Sequence, residues 1–313
     1  MIRFWLKNFS FLCITLIVVS FIVFCLTQLS PVDAARAKLG AFATAEQVEH
    51  LTHELGLDRP VLERYAEYIG GVLSGDLGQS LHFGVPVSEI IFERLGNTLT
   101  LAAISFSIIV PLSVFLGMVS GMREGSFLDR SILVLSTFFT SLPEFATSVT
   151  LLSIFVVGMG VLPGLSLMEP DDNWSIAQQF VLPVATIVLF DTGYVVNMVR
   201  ASMIEVMQQP FIRTAILKGV SFRRVVTVHA LRSAMLNPVT VIFLQINYLI
   251  SGVVVVETVF GYPGFGRMML EAALNKDIAL LEAGALVAVF VAVSTQILGD
   301  LTLTVIDPRI RTR

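Results

Sequence analysis

Arg200-Ala201-Ser202-Met203-Ile204-Glu205, Pro210-Phe211-Ile212-Arg213-Thr214-Ala215-Ile216-Leu217-Lys218-Gly219, Arg223-Arg224 and His229-Ala230-Leu231-Arg232 together form the one long polar interval between the later apolar runs of the chain. The interval carries six cations (Arg200, Arg213, Lys218, Arg223, Arg224, Arg232) against one acid, Glu205. Pro210 suits the first position of a helix and Gly219 its end. Between them Phe211, Ile212, Ala215 and Ile216 recur at helical spacing, which predicts an apolar face. A helix over 210–219 is ~13 Å long at 1.5 Å per residue, too short to cross a bilayer. It would lie across the cytoplasmic ends of the spans. Two readings stand: an interfacial helix resting on lipid headgroups, its cations following the positive-inside bias, or a docking helix for a cytoplasmic motor.

Composition places this interval in a membrane protein. Hydrophobic residues make up 55% and charged residues 14% of the 313 residues, and the mean hydropathy is +0.82. The charged share is well under the soluble norm of about 25%, and several apolar runs approach or exceed the ~20 residues that cross a bilayer. The cations are few and sit at membrane edges, which excludes nucleic-acid binding. Cys13 and Cys25 lie 12 residues apart in the first run, ~18 Å by helical rise, too far to pair. They read as small hydrophobes.

Taken in order, Arg3 and Lys7 precede the uncharged run Phe9 to Leu29. That run is longer than a signal-peptide core of about 7 to 15 residues, so it predicts a first transmembrane helix with a cytoplasmic N-terminus. Residues 30–96 form a polar excursion with five Lys/Arg and ten Asp/Glu. Helices are predicted over 45–55 and 60–73, with a turn at Gly75-Asp76-Leu77-Gly78. Further apolar runs cover 98–120, 132–158, 180–198, 234–256 and 279–305, giving six spans in all. With the N-terminus inside, cytoplasmic segments hold Arg3, Lys7, Arg123, Arg130, the six of the central loop, Arg309, Arg311 and Arg313. The short outer loops hold only Arg267 and Lys276. This asymmetry predicts both termini in the cytoplasm. The predicted organisation is a tail and first span (1–29), an extracytoplasmic helical subdomain (30–96), a five-helix core (97–305) with its cytoplasmic loop at 200–234, and a cytoplasmic tail (306–313).

Several strings resemble one family. Thr214-Ala215-x-x-x-Gly219 resembles the coupling loop of ABC-importer permeases. With Arg200-Ala201-Ser202-Met203, Lys218-Gly219 and His229-Ala230-Leu231-Arg232, it resembles the dipeptide, oligopeptide and nickel branch of that family. Leu55-Gly56-Leu57-Asp58-Arg59-Pro60, Tyr65, Gly75-Asp76-Leu77-Gly78-x-Ser80, Pro86-Val87, the Glu257 to Arg267 string, Lys276-Asp277 and Asp307-Pro308-Arg309 extend the resemblance over nearly the whole chain. Arg213 departs from the acid of the loop pattern, Ile216 from a small residue, and Ala279 from a proline. The resemblance implies an all-α integral membrane protein of the type I importer kind, with six transmembrane helices and a small extracytoplasmic subdomain after the first. It implies a permease subunit in a bacterial inner membrane, forming half of a translocation pathway for di- or oligopeptides, with nickel or another small solute as the alternative. The implied partners are a second homologous permease, two cytoplasmic ATPases, an extracytoplasmic substrate-binding protein and membrane lipid. On this reading the chain binds no cofactor and ATP sits on the partner subunits.

The residues themselves offer no enzyme chemistry. None of Lys7, Lys38, Lys218 and Lys276 follows a glycine, so the sequence holds no phosphate-binding glycine-lysine loop. His50 and His53, with Glu49 and Glu54, lack a third fixed ligand, and they read as a solvated helix surface, not a metal site. The predicted ATPase-coupling residues are Glu205, Arg213, Thr214, Ala215, Lys218, Gly219, His229 and Arg232. Charges inside spans invite a functional reading. Asp191 lies mid-span, and Tyr194 and Met198 are predicted on its face. It reads as a residue lining a water-filled path or contacting a cationic substrate group, with a buried interhelical hydrogen bond as the alternative. Gln245, Tyr248 and Ser251 form a polar stripe that either lines the path or packs on a neighbour. Glu144 and Glu282 are predicted near interfaces and solvated, and Asp300 is read as structural. Glu257, Phe260, Pro263, Gly264, Gly266 and Arg267 are predicted to form an outer gate or binding-protein contact, with a re-entrant turn as the alternative. The rival from another class, an ion-coupled secondary transporter, requires a relay of intramembrane charges and paired broken helices.

Overall fold

The structure, a computed structural model, describes residues 2–27, 39, 43–54, 58–169 and 173–306. The chain forms two units, one drawn from residues 1–98 and 263–294, the other from 99–262 and 295–313. Among the described residues the secondary structure is helical, apart from a lone antiparallel bridge between Gln79 and Pro86. We label the helices α1 (Ile2–Thr27), α2 (Ala45–Glu54), α3 (Val61–Ser74), α4 (Val87–Met122), α5 (Phe127–Ser141), α6 (Glu144–Gly158), α7 (Ile176–Met207), α8 (Pro210–Leu217), α9 (Phe222–Ala234), α10 (Leu236–Gly252), α11 (Val254–Val259), α12 (Phe265–Leu274) and α13 (Ile278–Ile306). The second half of α6 and the middle of α9 are π-wound.

Four helices (α1, α4, α7, α13) are long and apolar enough to cross a membrane, and two bent pairs, α5 with α6 and α9 with α10, bring the number to six. Counting each bent pair as one span gives the six expected, two of them broken, but the second pair draws in residues 222–234, which the sequence predicts in the cytoplasmic loop. The run predicted over 132–158 bends by 98° between α5 and α6. Pro143 sets where the break falls. It forces Leu142 out of the helical region, to φ −76° and ψ 134°, and then starts α6. The second bend, 58°, falls at Met235 between α9 and α10. Pro238 sits in the first turn of α10, where its missing N–H leaves no hydrogen bond unmade.

The first unit packs α4's opening turns (Val87, Ile90, Ile91) on Phe265, Met268 and Ala272 of α12 and Leu280 and Ala283 of α13. Asp277 is fully buried just ahead of α13. It accepts hydrogen bonds from Ser80 Oγ (2.5 Å), His82 N (3.0 Å) and Leu280 N (3.3 Å), so one carboxylate ties the Gly78 turn to a helix start. The helix predicted over 60–73 appears as α3, packed along the middle of α1. The Tyr65 hydroxyl lies 2.8 Å from Ser20 Oγ, and the Phe24 ring meets Tyr65 and Tyr68 at 5.4 and 5.7 Å. Burial pushes the Tyr68 hydroxyl well above the ordinary phenol range. No helix break marks residue 96: α4 runs unbroken from Val87 to Met122.

In the second unit α7 is the central helix, with Leu182, Ile187, Val195, Val196, Val199 and Met203 all buried. Glycines let its neighbours approach. Gly117 and Gly121 form one helical small-x-x-x-small pair on α4. A Cβ at Gly117 would lie 2.6 Å from Val199 Cβ, and one at Gly121 2.7 Å from Met203 Cβ. Gly193 faces α5, where a Cβ would meet the Ser136 carbonyl oxygen at 2.5 Å. Backbone cannot swing aside as a side chain can. Gly193→Ala is therefore expected to destabilise by about 1–3 kcal/mol through overpacking. A thermal unfolding midpoint in detergent equal to wild type would contradict this.

Candidate coupling and translocation sites

The polar interval of the sequence is a short-helix knuckle on the end of α7. Arg200 and Glu205 still belong to α7, which continues to Met207. Gln209 then takes extended geometry, Pro210 opens α8, and Gly219 closes the turn with φ +77°. The terminal amides are satisfied at close range: Gly219 N donates to the Ile216 carbonyl (2.9 Å) and Val220 N to the Ala215 carbonyl (3.2 Å).

Ile212 fixes this knuckle. It is 1% exposed and packs in a cluster with Val195, Val199 and Met203 of α7 and Val225, Val226 and Ala230 of α9. The predicted apolar face is split by this anchoring. Ile212 and half-buried Ala215 turn inward, whereas Phe211 (44% exposed), Ile216 (49%) and Leu217 (79%) point out. Phe222 and Val228 extend the exposed apolar patch. Arg213, Lys218, Arg223, Arg224, His229 and Arg232 of the same segment are all exposed too, and none is ion-paired among the described residues. Glu205 and Thr214 are exposed as well, and the Thr214 hydroxyl donates back to the Pro210 carbonyl.

Arg200 does something the sequence did not reveal. Its guanidinium makes two parallel hydrogen bonds to Asp129, Nε to Oδ1 at 2.6 Å and a terminal nitrogen to Oδ2 at 2.8 Å. Asp129 is 1% exposed and also accepts from Ser120 Oγ and Gly125 N. One carboxylate thus ties the end of α4, the start of α5 and the last turns of α7. The only sequence signal for it was Ser126 three residues before an acid, a helix-start pattern; the Ser126 side chain indeed accepts from Asp129 N.

A second constellation lies inside the spans. Asp191 is 1% exposed, and Gln245 Nε2 donates to its Oδ1 at 2.8 Å. Its Oδ2 is buried with no partner. The Tyr248 hydroxyl donates to Glu144 Oε2 at 3.1 Å. The Phe190 ring sits beside both Tyr194 (6.1 Å) and Tyr248 (6.0 Å). Gln245 and Tyr248 therefore meet two acids from α7 and α6. One expectation needs correction: Glu144 is not solvated at an interface but 9% exposed, because the Pro143 bend turns the start of α6 inward. Tyr194 lies about 60° round the helix from Asp191 and is 49% exposed where Asp191 is buried. The side chains of Ser251 and Asp300 lie outside the described residues.

The residues predicted as an outer gate are mostly buried. In the second unit Glu257 and Phe260 are fully covered, and the Phe260 carbonyl accepts from Ser166 N at 2.8 Å. The ring of buried Tyr262 lies 5.8 Å from that of Phe180, tilted by 59°, and burial pushes its hydroxyl up, with the negative charge of Glu257 adding to the effect. In the first unit Gly264 and Gly266 are buried, while Pro263 and Arg267 are partly exposed. The Pro263 carbonyl accepts from Asn97, and Arg267 pairs with Glu271 at 2.8 Å, one helical turn on. Glu282, also predicted to be solvated, is 6% exposed and accepts from the Thr27 hydroxyl. His53 sits on the surface 3.2 Å from Asp58, and no cluster of three His, Cys, Asp or Glu able to hold a metal occurs among the described residues. Leu55 to Leu57 and Asp307 to Arg309 lie outside the described residues.

Comparison with known proteins gives two family matches. Residues 113–312 match the model described as binding-protein-dependent transport system inner membrane component, and residues 1–102 match its N-terminal counterpart. A putative peptide transport system permease of Brucella abortus (strain 2308) is 33% identical over 299 residues, covering 95% of each chain. A probable peptide ABC transporter permease of Sinorhizobium fredii is 32% identical over 94% of each chain. The dipeptide transport system permease of Escherichia coli (strain K12) is 30% identical over 99% of each chain.

Proposed function

The chain belongs to the family of binding-protein-dependent transport system inner membrane components, multi-pass permease subunits of ABC transporters and not enzymes, and from that premise we propose that it forms half of the translocation pathway of a peptide importer. Peptide as cargo is favoured by its likeness to peptide and dipeptide permeases across nearly their whole length. A second, homologous permease supplies the other half. Two cytoplasmic ATPases carry the ATP, and an extracytoplasmic binding protein delivers the cargo. Both termini face the cytoplasm, in keeping with the cation asymmetry, and the segment before α4 lies outside.

The observation that carries this reading is the knuckle. A helix pinned by Ile212 yet presenting Phe211, Ile216 and Leu217 to the outside, in a segment of exposed cations, is built for a partner. Headgroup binding alone accounts for a basic amphipathic helix; it does not account for one rigidly seated on the end of the central span. The coupling residues are Glu205, Arg213, Thr214, Ala215, Lys218, Gly219, His229 and Arg232, with Ala215 half-buried and the rest exposed. ATPase closure pushes on α8, Ile212 passes the motion to α7 and α9, and the spans shift between outward- and inward-facing states. Each partner biases that equilibrium only through its different affinity for the two states. Asp191, Tyr194, Gln245, Tyr248 and Ser251 border the path. Glu257, Phe260, Pro263, Gly264, Gly266 and Arg267 are assigned to the outer gate or binding-protein contact, with Pro263 and Arg267 the partly exposed members.

The test is purification in detergent of the tagged chain with its genomic neighbours, followed by uptake assays on a deletion strain with a panel of peptides and nickel. Co-purified ATPase and loss of peptide uptake are expected. Purification without any ATPase would remove the importer assignment, and loss of nickel uptake alone would reassign the cargo.

A further inference from the structure

Two acids sit within the spans of the second unit and neither has an ion-pair partner among the described residues. Asp191 receives one hydrogen bond, from Gln245, leaving Oδ2 buried and unpartnered. Glu144 receives one, from Tyr248. Gln245 and Tyr248 stand three residues apart on α10, so the two acids meet one face of that helix. Buried carboxylates are held in membranes by pairing or by facing a polar cavity, and an orphaned carboxylate oxygen is costly. The rings around the acids are the kind that attract cations on their faces: Phe190 lies beside Tyr194 and Tyr248, and half-exposed Tyr194 carries the ring group to the surface. Gln245 and Tyr248 each spend a donor on the acids, which fixes the carboxylates and leaves their remaining lone pairs for a ligand.

Resting on the importer reading above, we propose that Asp191 and Glu144, framed by Phe190, Tyr194 and Tyr248, form a transient subsite for a cationic nitrogen of the passing peptide. The nitrogen is a primary ammonium, N-terminal or lysyl, and both sources present the same chemistry. The subsite compensates the charge of the cargo while it is away from water, lowering the barrier that a bare ammonium would meet in the bilayer interior. Because the site holds two acids and, among the described residues, no ion-paired cation, it accepts the cargo charge without first breaking an internal ion pair.

The experiment uses the complete importer in proteoliposomes, with saturating loaded binding protein, and three cargoes: Ala-Ala-Ala, Ala-Lys-Ala and Ala-Glu-Ala. Asp191→Asn retains the acceptor for Gln245, and Glu144→Gln retains the acceptor for Tyr248, so each removes charge with little change in shape. Either variant is expected to lower the maximal transport rate at least about tenfold, the scale of a lost charge-assisted hydrogen bond. A fall confined to Ala-Lys-Ala assigns the lysyl ammonium. A fall for all three, regained by Asp191→Glu, assigns the N-terminal one. The proposal is overturned if both variants transport all three peptides within about twofold of wild type, if a general fall is not regained by Asp191→Glu, or if neither variant assembles, which would make the acids structural. Wild-type complex that moves none of the three peptides refutes the peptide importer reading itself, a result distinct from any of these and one that removes this subsite with it.

Discussion

Gly219→Arg is expected to reduce peptide uptake at least about tenfold, equivalent to 1.4 kcal/mol or more of lost coupling free energy, while the chain still inserts at near wild-type levels. Two features of the site separate these outcomes. Gly219 has φ +77°, a conformation that costs an ordinary L-residue about 1–2 kcal/mol. Yet nothing lies within 4 Å of where its Cβ would be, so a side chain there meets no core. The folded chain can absorb that local strain at an exposed turn. What it cannot absorb is a long cation projecting from a surface whose role is close apposition to another protein. Gly219→Asn is the control, because Asn tolerates the left-handed region and adds little bulk; it is expected to keep most uptake. Immunoblots of washed membranes and uptake in a deletion strain read the two quantities separately. Normal uptake by Gly219→Arg would remove the knuckle from the coupling path.

The parts of this architecture that depend on local chemistry could be read from the sequence. Span number followed from apolar run length, the start of α8 from Pro210, and its end from Gly219. The bends were not legible. A 27-residue apolar run containing Pro143 is compatible with a kinked helix or with two helices, and only the packing of α6 against its neighbours selects the 98° turn. That selection in turn decided the fate of Glu144, which a straight span would have left near an interface. Side-chain partners were also out of reach. Gln245 and Asp191 are 54 residues apart, and Arg200 and Asp129 are 71 apart. Helical spacing within one element cannot forecast which side chain of another element will face it. For the same reason the apolar stripe of α8 was read as one face, when tertiary packing uses Ile212 and leaves Phe211 and Ile216 outside. The buried state of Glu257, Phe260 and Glu282 shows the limit most plainly: a charge or an aromatic beside an outer loop looks available until the helices close over it.

The second large effect concerns that unforeseen pair. Arg200→Ala is expected to cost about 3 kcal/mol, the lower end of what breaking a buried ion pair costs, because Arg200 keeps 21% of its side chain exposed whereas Asp129 keeps 2%. The loss arises chiefly on the Asp129 side. Ser120 and Gly125 continue to donate to it, but two charge-assisted hydrogen bonds vanish and a buried negative charge is left without its cation. Adding Asp129→Asn should therefore return more than half of the lost stability, since the amide oxygen still accepts from Ser120 or Gly125 and no charge remains to be compensated. This non-additivity is the signature of a coupled pair. It would appear as a lowered unfolding midpoint for Arg200→Ala in detergent and a substantial recovery in the double variant, with the yield of assembled complex following the same order. A single variant as stable as wild type, or a double variant whose loss is the sum of the two singles, would mean that the clasp holds nothing. The consequence reaches the knuckle, for Arg200 stands two turns before the end of α7, the helix that carries it. A push at Pro210 to Leu217 can move α7 as a lever only if that end of the helix is tied to α4 and α5, and Asp129 is the tie the structure provides.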